Sequence, residues 1–291
     1  MELGRIGIWA FLDMLPAREA QAAAREIEDL GFGALWIPEA LGREAFTSAG
    51  VLLAGSARLV VATGIANIWA RDAMAMAGGQ KTLCEAYPGR FLLGMGVSHA
   101  PLVEGLRGHE YAKPLTAMRR YLDAMDKAPF TAAPPIGECP RVLAALHPKM
   151  LELARERTSG SHPYFVTPEH TARARQILGK DRLLAPEQAV LLETDPETAR
   201  RIARTHMAIY IGLPNYRRNL IATGFAEEDF ANGGSDRLVD AIVAWGDIEV
   251  IRARVAAHHA AGADHVCLQV LTPNPAIVNR DAWRVLARAL L

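Results

Sequence analysis

Residues 59–83, LVVATGIANIWARDAMAMAGGQKTL, and residues 88–101, PGRFLLGMGVSHAP, decide the fold. They read as two successive strands of one barrel, joined by a helix. Leu59 to Thr63 is apolar and β-branched and stops at Gly64; Phe91 to Met95 stops at Gly96. A strand apolar on both faces belongs to a parallel sheet covered by helices. Glycine at a strand's end lets a ligand approach the backbone closely. Two such ends point to neighbouring segments of a cofactor pocket.

The same alternation continues in both directions. On the amino side, Arg5 to Phe11 reads as a strand, Pro16 to Leu30 as an amphipathic helix stopped by Gly31, Ala34 to Ile37 as a strand, and Ala45 to Ala54 as a helix. Asp72 can cap the helix Ala73 to Ala86, which Pro88-Gly89 ends. On the carboxyl side, a long loop through Gly105 and Gly108 precedes a helix at Leu115 to Met125. A Pro-rich linker, 132–140, leads to a strand at Val142 to Leu146 and a helix at Lys149 to Arg157. Gly160 to Tyr164 is a short polar strand, and Leu183 to Glu193 a longer one. Residues 215–245 read as an irregular, partly helical insert. Ile248 to Ala261 is a helix, His265 to Leu271 a strand, and Asp281 to Leu291 a closing helix.

Eight strands alternating with helices predict an α/β fold, a (β/α)8 TIM barrel. A doubly wound open sheet is the alternative, but it usually carries GxGxxG after its first strand. Here that strand runs into Trp9-Ala10-Phe11-Leu12-Asp13, without glycine. The 291 residues are expected to form a single domain, with irregular insertions near 100–114, 128–140 and 215–245.

Lys and Arg number 32 and Asp and Glu 32, so formal charge is zero. That balance gives no electrostatic reason to expect nucleic acid or an anionic membrane as partner. Cys84, Cys139 and Cys267 are far apart and have no metal spacing. Free thiols of this kind fit a reducing cytoplasm. The apolar run at the amino terminus is too short for an export signal, and no run is long enough to span a bilayer. A cytoplasmic enzyme is the expectation. No HExxH, nucleophile elbow or Walker loop occurs, so a metal site is not expected.

A barrel places its chemistry at the carboxyl ends of its strands. That rule selects Trp9, Glu39, Gly64 to Asn67, Gly96 to His99, His147, Gly160 to His162, and Gln269. Glu39 is the candidate acid, base or hydrogen-bonding group, its pKa open to tuning by burial. The alternative is a helix-dipole or salt-bridge partner at the start of the second helix. His99 could bind substrate or move a proton. Small residues beside His162, Gly160 and Ser161, leave amides that could hold a phosphate, or else form a plain tight turn. Arg71-Asp72 reads as a cap or salt bridge, and Ser98 has no base spaced to make it a nucleophile. His258 and His259 face different directions on their helix. Together these features suit a bulky planar cofactor in a mostly apolar pocket.

At these residues the chain resembles a known family. TGIANIWARD (63–72) followed by PGRFLLGMGVSHAP, then RVLAALHPKMLELARERTSGSHPYFVTPEHTARAR (141–175) and AGADHVCLQVL (261–271), resembles the bacterial-luciferase-like superfamily. Within it, the oxidoreductases that use the deazaflavin coenzyme F420 are most similar. The resemblance covers nearly the whole chain. It implies hydride transfer to or from a small organic substrate, with FMN-dependent monooxygenation on the same fold as the alternative. A non-catalytic cofactor-binding protein is the alternative from another class.

The resemblance also implies site roles. Gly64–Ile65 matches a non-proline cis peptide behind the ring, with Ala66 and Asn67 following it. Glu39 matches an acidic residue at the end of strand two. Gly96, Val97, Ser98 and His99, and Gly160, Ser161 and His162, match the segments that hold the ribityl chain and phosphate. Trp9, Ile65 and Trp69 could supply apolar surface near the ring or substrate, and Trp9, Trp69, His147 and Gln269 are expected in the substrate pocket. Two positions depart from the pattern. Ala40 stands where some relatives have histidine, and Val97-Ser98-His99 where some have glutamate. His147 replaces a common glycine before Pro-Lys. Relatives are commonly dimers, so a homodimer is expected.

Overall fold

A computed structural model describes all 291 residues. In chain order the elements are β1 Ile6–Trp9, α1 Ala17–Asp29, β2 Ala34–Ile37, α2 Ala45–Ala54, β3 Val60–Thr63, β4 Ala66–Asn67 and α3 Ala73–Ala86. Then come β5 Phe91–Gly96, α4 Ala100–Gly105, α5 Pro114–Lys127, β6 Arg141–Leu143, α6 Pro148–Arg157, β7 Gly160–Ser161 and α7 Pro168–Leu178. The chain continues through β8 Leu183–Leu184, β9 Glu187–Leu192, α8 Pro196–Ile211, α9 Pro214–Ala222 and a 3-10 turn Glu227–Gly233. It ends with α10 Asp236–Ile242, β10 Val243–Gly246, α11 Ile248–Ala260, β11 Val266–Val270 and α12 Arg280–Leu290.

All strands belong to one parallel sheet in the order β10-β9-β11-β1-β2-β3-β5-β6-β7-β8, with β4 beside β5. The expected strand Leu183 to Glu193 is one chain path in two halves, broken because Pro186 cannot donate to a ladder. Its flanks close the barrel. On one side Ala185 N donates to Ser161 O and Glu187 N to Pro163 O; on the other Asp264 N donates to Leu184 O and Cys267 N to Pro186 O. Counting β8–β9 and β3–β4 as single paths gives the eight-stranded α/β barrel. β10 is additional: it pairs with the carboxyl half of β9 from Val243↔Ala189 to Gly246↔Leu192.

Residues 215–245, expected to be irregular and partly helical, form two helices and a 3-10 turn and, beyond that expectation, a strand. They also build their own apolar layer, in which Tyr216, Leu220, Leu238 and Val239 pack on Ala199, Ala203 and Met207 of α8. The region after β5, expected as loop, contains α4. Strands expected at 142–146 and 160–164 stop at Leu143 and Ser161.

Local chemistry sets the rest. Ala20, Ala23, Ala24 and Ile27 bury one face of α1 at helical spacing. Asp72 caps α3 by accepting from Ala75 N, and Asp195 caps α8 by accepting from Thr198 N. Inside the barrel, Trp36, Val60, Ala62, Leu92, Val142 and Cys267 fill the lower layers beneath Trp9. Where β3 leaves β5, the Thr63 hydroxyl donates to Gly94 O (2.7 Å) and accepts from Gly94 N (2.9 Å), bridging the gap. The Gly64–Ile65 peptide is cis, as expected, and β4 then rejoins β5 at Ala66↔Met95.

Candidate active site

Above the filled layers, at the carboxyl ends of the strands, lies a cavity of about 410 Å³. Trp9, Glu39, Gly64, Ile65, Gly96, Val97, Ser98, His99, His147 and His162 all line it, as the sequence led us to expect. At Gly64 and Gly96 the lining leaves no room for a side chain. A Cβ on Gly64 would stand 2.8 Å from Trp9 Nε1 and 2.9 Å from His162 Nε2; one on Gly96 would stand 2.7 Å from Ile65 Cδ1. Only glycine leaves that shelf open. Trp9 Nε1 donates to Gly64 O at 3.2 Å, fixing the bulge against β1.

His162 is wholly buried at the end of β7. Its ring stacks on Trp36, centroids 4.2 Å apart, and Nδ1–H donates to Ala185 O at 2.7 Å. That bond fixes the tautomer and leaves Nε2 as a lone pair. Nε2 is buried without a partner and sits beside Gly64. Burial lowers the imidazole pKa to about 4, so the ring is neutral near pH 7. A buried acceptor with no donor is a ready hydrogen-bond site for a ligand.

Glu39 is engaged on both oxygens. Oε1 accepts from Ala45 N (3.1 Å) and Oε2 from Asn67 N (2.8 Å) and Arg71 Nη1 (3.1 Å), while Arg71 Nη2 closes the pair on Oε1. Arg71 also holds Glu44 at 2.8 Å. The carboxylate thus sits at the start of α2 as a salt-bridge partner, tying β2, the bulge and Arg71 together. It has the geometry of the alternative role considered for it. Asp72, beside Arg71, is a cap, as read from the sequence.

The loop after β5 is held from behind. Trp69 Nε1 donates to Val97 O (3.0 Å), and Tyr111 Oη donates to Ser98 O (3.1 Å). Ser98 itself is left-handed, φ 57°. Trp69 therefore buttresses the wall without lining the cavity, which corrects its expected place in the substrate pocket. Ala66 and Asn67 also lie behind the lining, buried under the bulge. His99 occupies the residue before α4 without a side-chain capping bond, and its ring lies 5.2 Å from Tyr216 in the cavity lining; burial lowers its pKa. His147 Nε2 donates to Asn215 O at 3.2 Å, stitching α6 to α9, and burial lowers its pKa too.

The expected phosphate segment at 160–162 is corrected. Gly160 and Ser161 are barrel-wall residues outside the cavity lining. Gly160 N donates to Thr158 Oγ1, His162 N to Leu143 O, and the Ser161 hydroxyl to Leu143 O. Those donors are consumed by the sheet. Two exposed cations line the cavity, Lys149 on α6 and Arg218 on α9, and neither is in a salt bridge. The sequence reading missed both, because they reach one cavity only through the tertiary placement of α6 and α9, joined at the His147–Asn215 bond.

It also missed Tyr164, Tyr210 and Tyr216, a packed trio on the cavity wall with centroids 5.2–6.4 Å apart. Tyr164 Oη lies 2.9 Å from Tyr210 Oη and 2.8 Å from Gln269 Oε1. With one hydrogen per phenol, Tyr210 donates to Tyr164 and Tyr164 to Gln269. The only sequence signal was the Gly212-Leu213-Pro214 helix break between Tyr210 and Tyr216. Gln269 faces a second, adjoining cavity instead of the first, a correction to its expected place. Behind the trio, Glu187 is buried with Oε2 accepting from Phe165 N (3.1 Å) and Oε1 unpartnered. Burial raises its pKa to about 8, so it is protonated near pH 7.

Comparison with known proteins agrees with this architecture. The family model described as luciferase-like monooxygenase matches residues 5–265. A Mycobacterium tuberculosis protein assigned as a coenzyme F420-dependent oxidoreductase is 28% identical over 97% of each chain. The solved structure of an F420-dependent secondary alcohol dehydrogenase with an F420-acetone adduct superposes with a TM-score of 0.78, at 16% identity and 100% coverage of both chains. The oxygenating constituent of 3,6-diketocamphane monooxygenase from Pseudomonas putida, in complex with FMN, gives 0.71 at 14% identity, covering 98% of this chain and 97% of that one. At those identities the structural likenesses establish the fold.

Proposed function

Because the chain belongs to the luciferase-like monooxygenase family, we propose that it is a coenzyme F420-dependent oxidoreductase that transfers hydride to or from a small organic substrate. One observation carries this reading: a glycine-floored apolar slot with an unpartnered neutral His162 Nε2 inside and exposed Lys149 and Arg218, neither in a salt bridge, in its lining. It suits a flat ring with an acidic tail. The F420-dependent assignment of the mycobacterial relative supports the choice of deazaflavin.

When bound, the deazaflavin supplies hydride exchange, so the protein contributes orientation, electrostatics and proton handling. Gly64, Ile65, Gly96 and Val97 would hold the ring's apolar faces. His162 Nε2 would accept a hydrogen bond from a ring N–H, its own orientation fixed by Ala185 and Trp36. Lys149 and Arg218 would pair with the phosphate-bearing tail. His99, titratable and in the cavity lining, exchanges the substrate proton with solvent. Glu39 acts as a positioning residue, holding Asn67 N and Arg71 so that the bulge keeps its shape. A single barrel domain over 1–291, acting in the cytoplasm as a homodimer, completes the proposal. Sedimentation distinguishes that state from a 31.6 kDa monomer.

The test is titration of purified protein with F420 and with FMN, read by intrinsic tryptophan fluorescence. Trp9 lines the slot, so ring binding quenches it. Submicromolar F420 binding with weaker FMN binding is expected. Submicromolar FMN binding without F420 binding would overturn the reading in favour of the FMN monooxygenase, whose reduced form consumes oxygen. Either cofactor bound with no turnover by any reductant would favour a carrier.

A further inference from the structure

Next to the first cavity lies a second, of about 230 Å³, between the end of β1, the end of β11, α8 and the start of α12. Trp9, Phe11 and Tyr210 line both and form the partition between them. The two differ in chemistry. The first has Lys149, Arg218 and Glu39; the second has no Asp, Glu, Lys or Arg in its lining. Ile202, Leu271, Ile277, Val278 and Trp283 give it apolar walls. Its mouth is apolar as well: Ile209 is 71% exposed, Ile277 59% and Phe11 40%.

Two polar groups in it lack partners. Tyr164 fixes the Gln269 amide through Oε1, leaving the Gln269 N–H₂ without an acceptor. His206 Nε2 is buried and unpartnered, and burial lowers its pKa to about 4, so it carries no charge near neutrality. A buried polar atom without a partner is costly in a finished core, so His206 Nε2 marks a place where a ligand completes the bonding, and the Gln269 N–H₂ in the same lining offers a donor beside it. A charged ligand would find no counter-charge here and would lose its hydration.

We propose that this second cavity holds the body of the substrate, and that the substrate is an uncharged, mostly apolar molecule bearing a carbonyl or hydroxyl group. The inference rests on the F420 reading only for the word substrate; the cavity's ligand chemistry stands by itself. The space corresponds to about eight water volumes at roughly 30 Å³ each, so it takes a medium-sized hydrocarbon body. The reactive end would lie against the shared wall, where the Phe11 ring packs edge-on to Trp9 at 5.0 Å and both residues also line the first cavity.

The test uses direct binding to the cofactor-free protein, so it does not depend on which cofactor the first cavity takes. Probes are 2-alkanones of three to ten carbons and ω-carboxylates of the same lengths, measured by tryptophan fluorescence and by protection of Tm. Affinity should rise up to about fourfold per methylene, the equivalent of burying one CH₂, until the cavity is full. The carboxylates should bind at least a hundredfold more weakly. Ile209→Glu, at an exposed rim position, should cut affinity for the longer alkanones at least tenfold. Thr205→Trp, also exposed, should do the same by filling the mouth. F420 affinity should change less than threefold in both variants. Flat chain-length dependence, or carboxylates binding as well as ketones, would overturn the proposal. So would Ile209→Glu converting a dimer to a monomer while alkanone affinity stays the same. Loss of F420 binding in the parent protein, with alkanone binding intact, would instead count against the cofactor reading alone.

Discussion

Acidification should unfold this protein through its buried histidines. His162, His170, His258 and His265 are fully buried, and burial lowers their pKa to about 4, 4, 3 and 4. None of the four rings has a buried carboxylate against it, and at His265 the bonding itself requires a neutral ring. His265 Nε2 accepts from Trp36 Nε1 (3.1 Å) while Nδ1–H donates to Gly4 O (2.8 Å). Indole is only a donor, so a second proton on His265 has nowhere to go. His258 lies between Thr171 Oγ1 and Gln188 Oε1, each at 2.9 Å, and His170 donates to Leu146 O. In the unfolded chain all four take protons near pH 6.5. Since the folded values are depressed, the stability they confer is present above pH 6.5 and lost as pH falls towards 4.

Glu187 works in the opposite direction. Its folded pKa, about 8, lies above its unfolded value, so stability is gained as pH falls from about 8 to 4.5. Between pH 7 and 5.5 the four imidazoles remove about 5 kcal/mol and Glu187 returns about 2, a net loss of about 3 kcal/mol. Below that the net slope is about 4 kcal/mol per pH unit, against a typical total of about 5–15 kcal/mol. Cooperative unfolding near pH 5 is expected. Urea midpoints from pH 7.5 to 5 measure it. His170→Gln keeps a donor for Leu146 O and should lower the slope by one proton. A change below about 1 kcal/mol between pH 7 and 5.5 would refute the reasoning, because it would mean the buried rings already carry or tolerate charge.

Three other outcomes are expected. Glu39→Gln leaves Arg71 half-paired in a buried setting and should cost about 3 kcal/mol of stability. Turnover should fall with it, and Glu39→Gln/Arg71→Gln should be no worse than either single change. A hundredfold loss of turnover at unchanged Tm would restore Glu39 as acid or base. Gly96→Ala pushes a methyl towards Ile65 Cδ1 and should weaken F420 binding at least tenfold with a small change in Tm; unaltered affinity in fluorescence titration would remove Gly96 from the ring site. No group of three or more His, Cys, Asp or Glu is placed to hold a metal, so dialysis against a chelator should leave Tm and turnover unchanged; restoration of lost activity by an added divalent ion would contradict this.

The strands and helices that fix the barrel were legible because their signals are local. Val60 to Thr63, Phe91 to Gly96 and Ala34 to Ile37 are apolar runs ended by glycine or proline. Asp72 and Gly31 mark helix ends by capping chemistry that needs no distant partner. The strand-end rule then placed Trp9, Gly64, Ile65, Gly96 to His99, His147 and His162 around one cavity. What sequence could not decide is pairing over distance. Whether Glu39 is free or clamped depends on Arg71, 32 residues away. Whether the amides at Gly160–His162 are available depends on Leu143 and Thr158, which use them. The tyrosine trio, the exposed cations of the lining and the second cavity arise only when α8, α9 and β11 meet across the barrel mouth. Local periodicity and turn chemistry are written in neighbouring residues; the state of a buried donor, acceptor or charge is set by whatever the closed barrel brings against it.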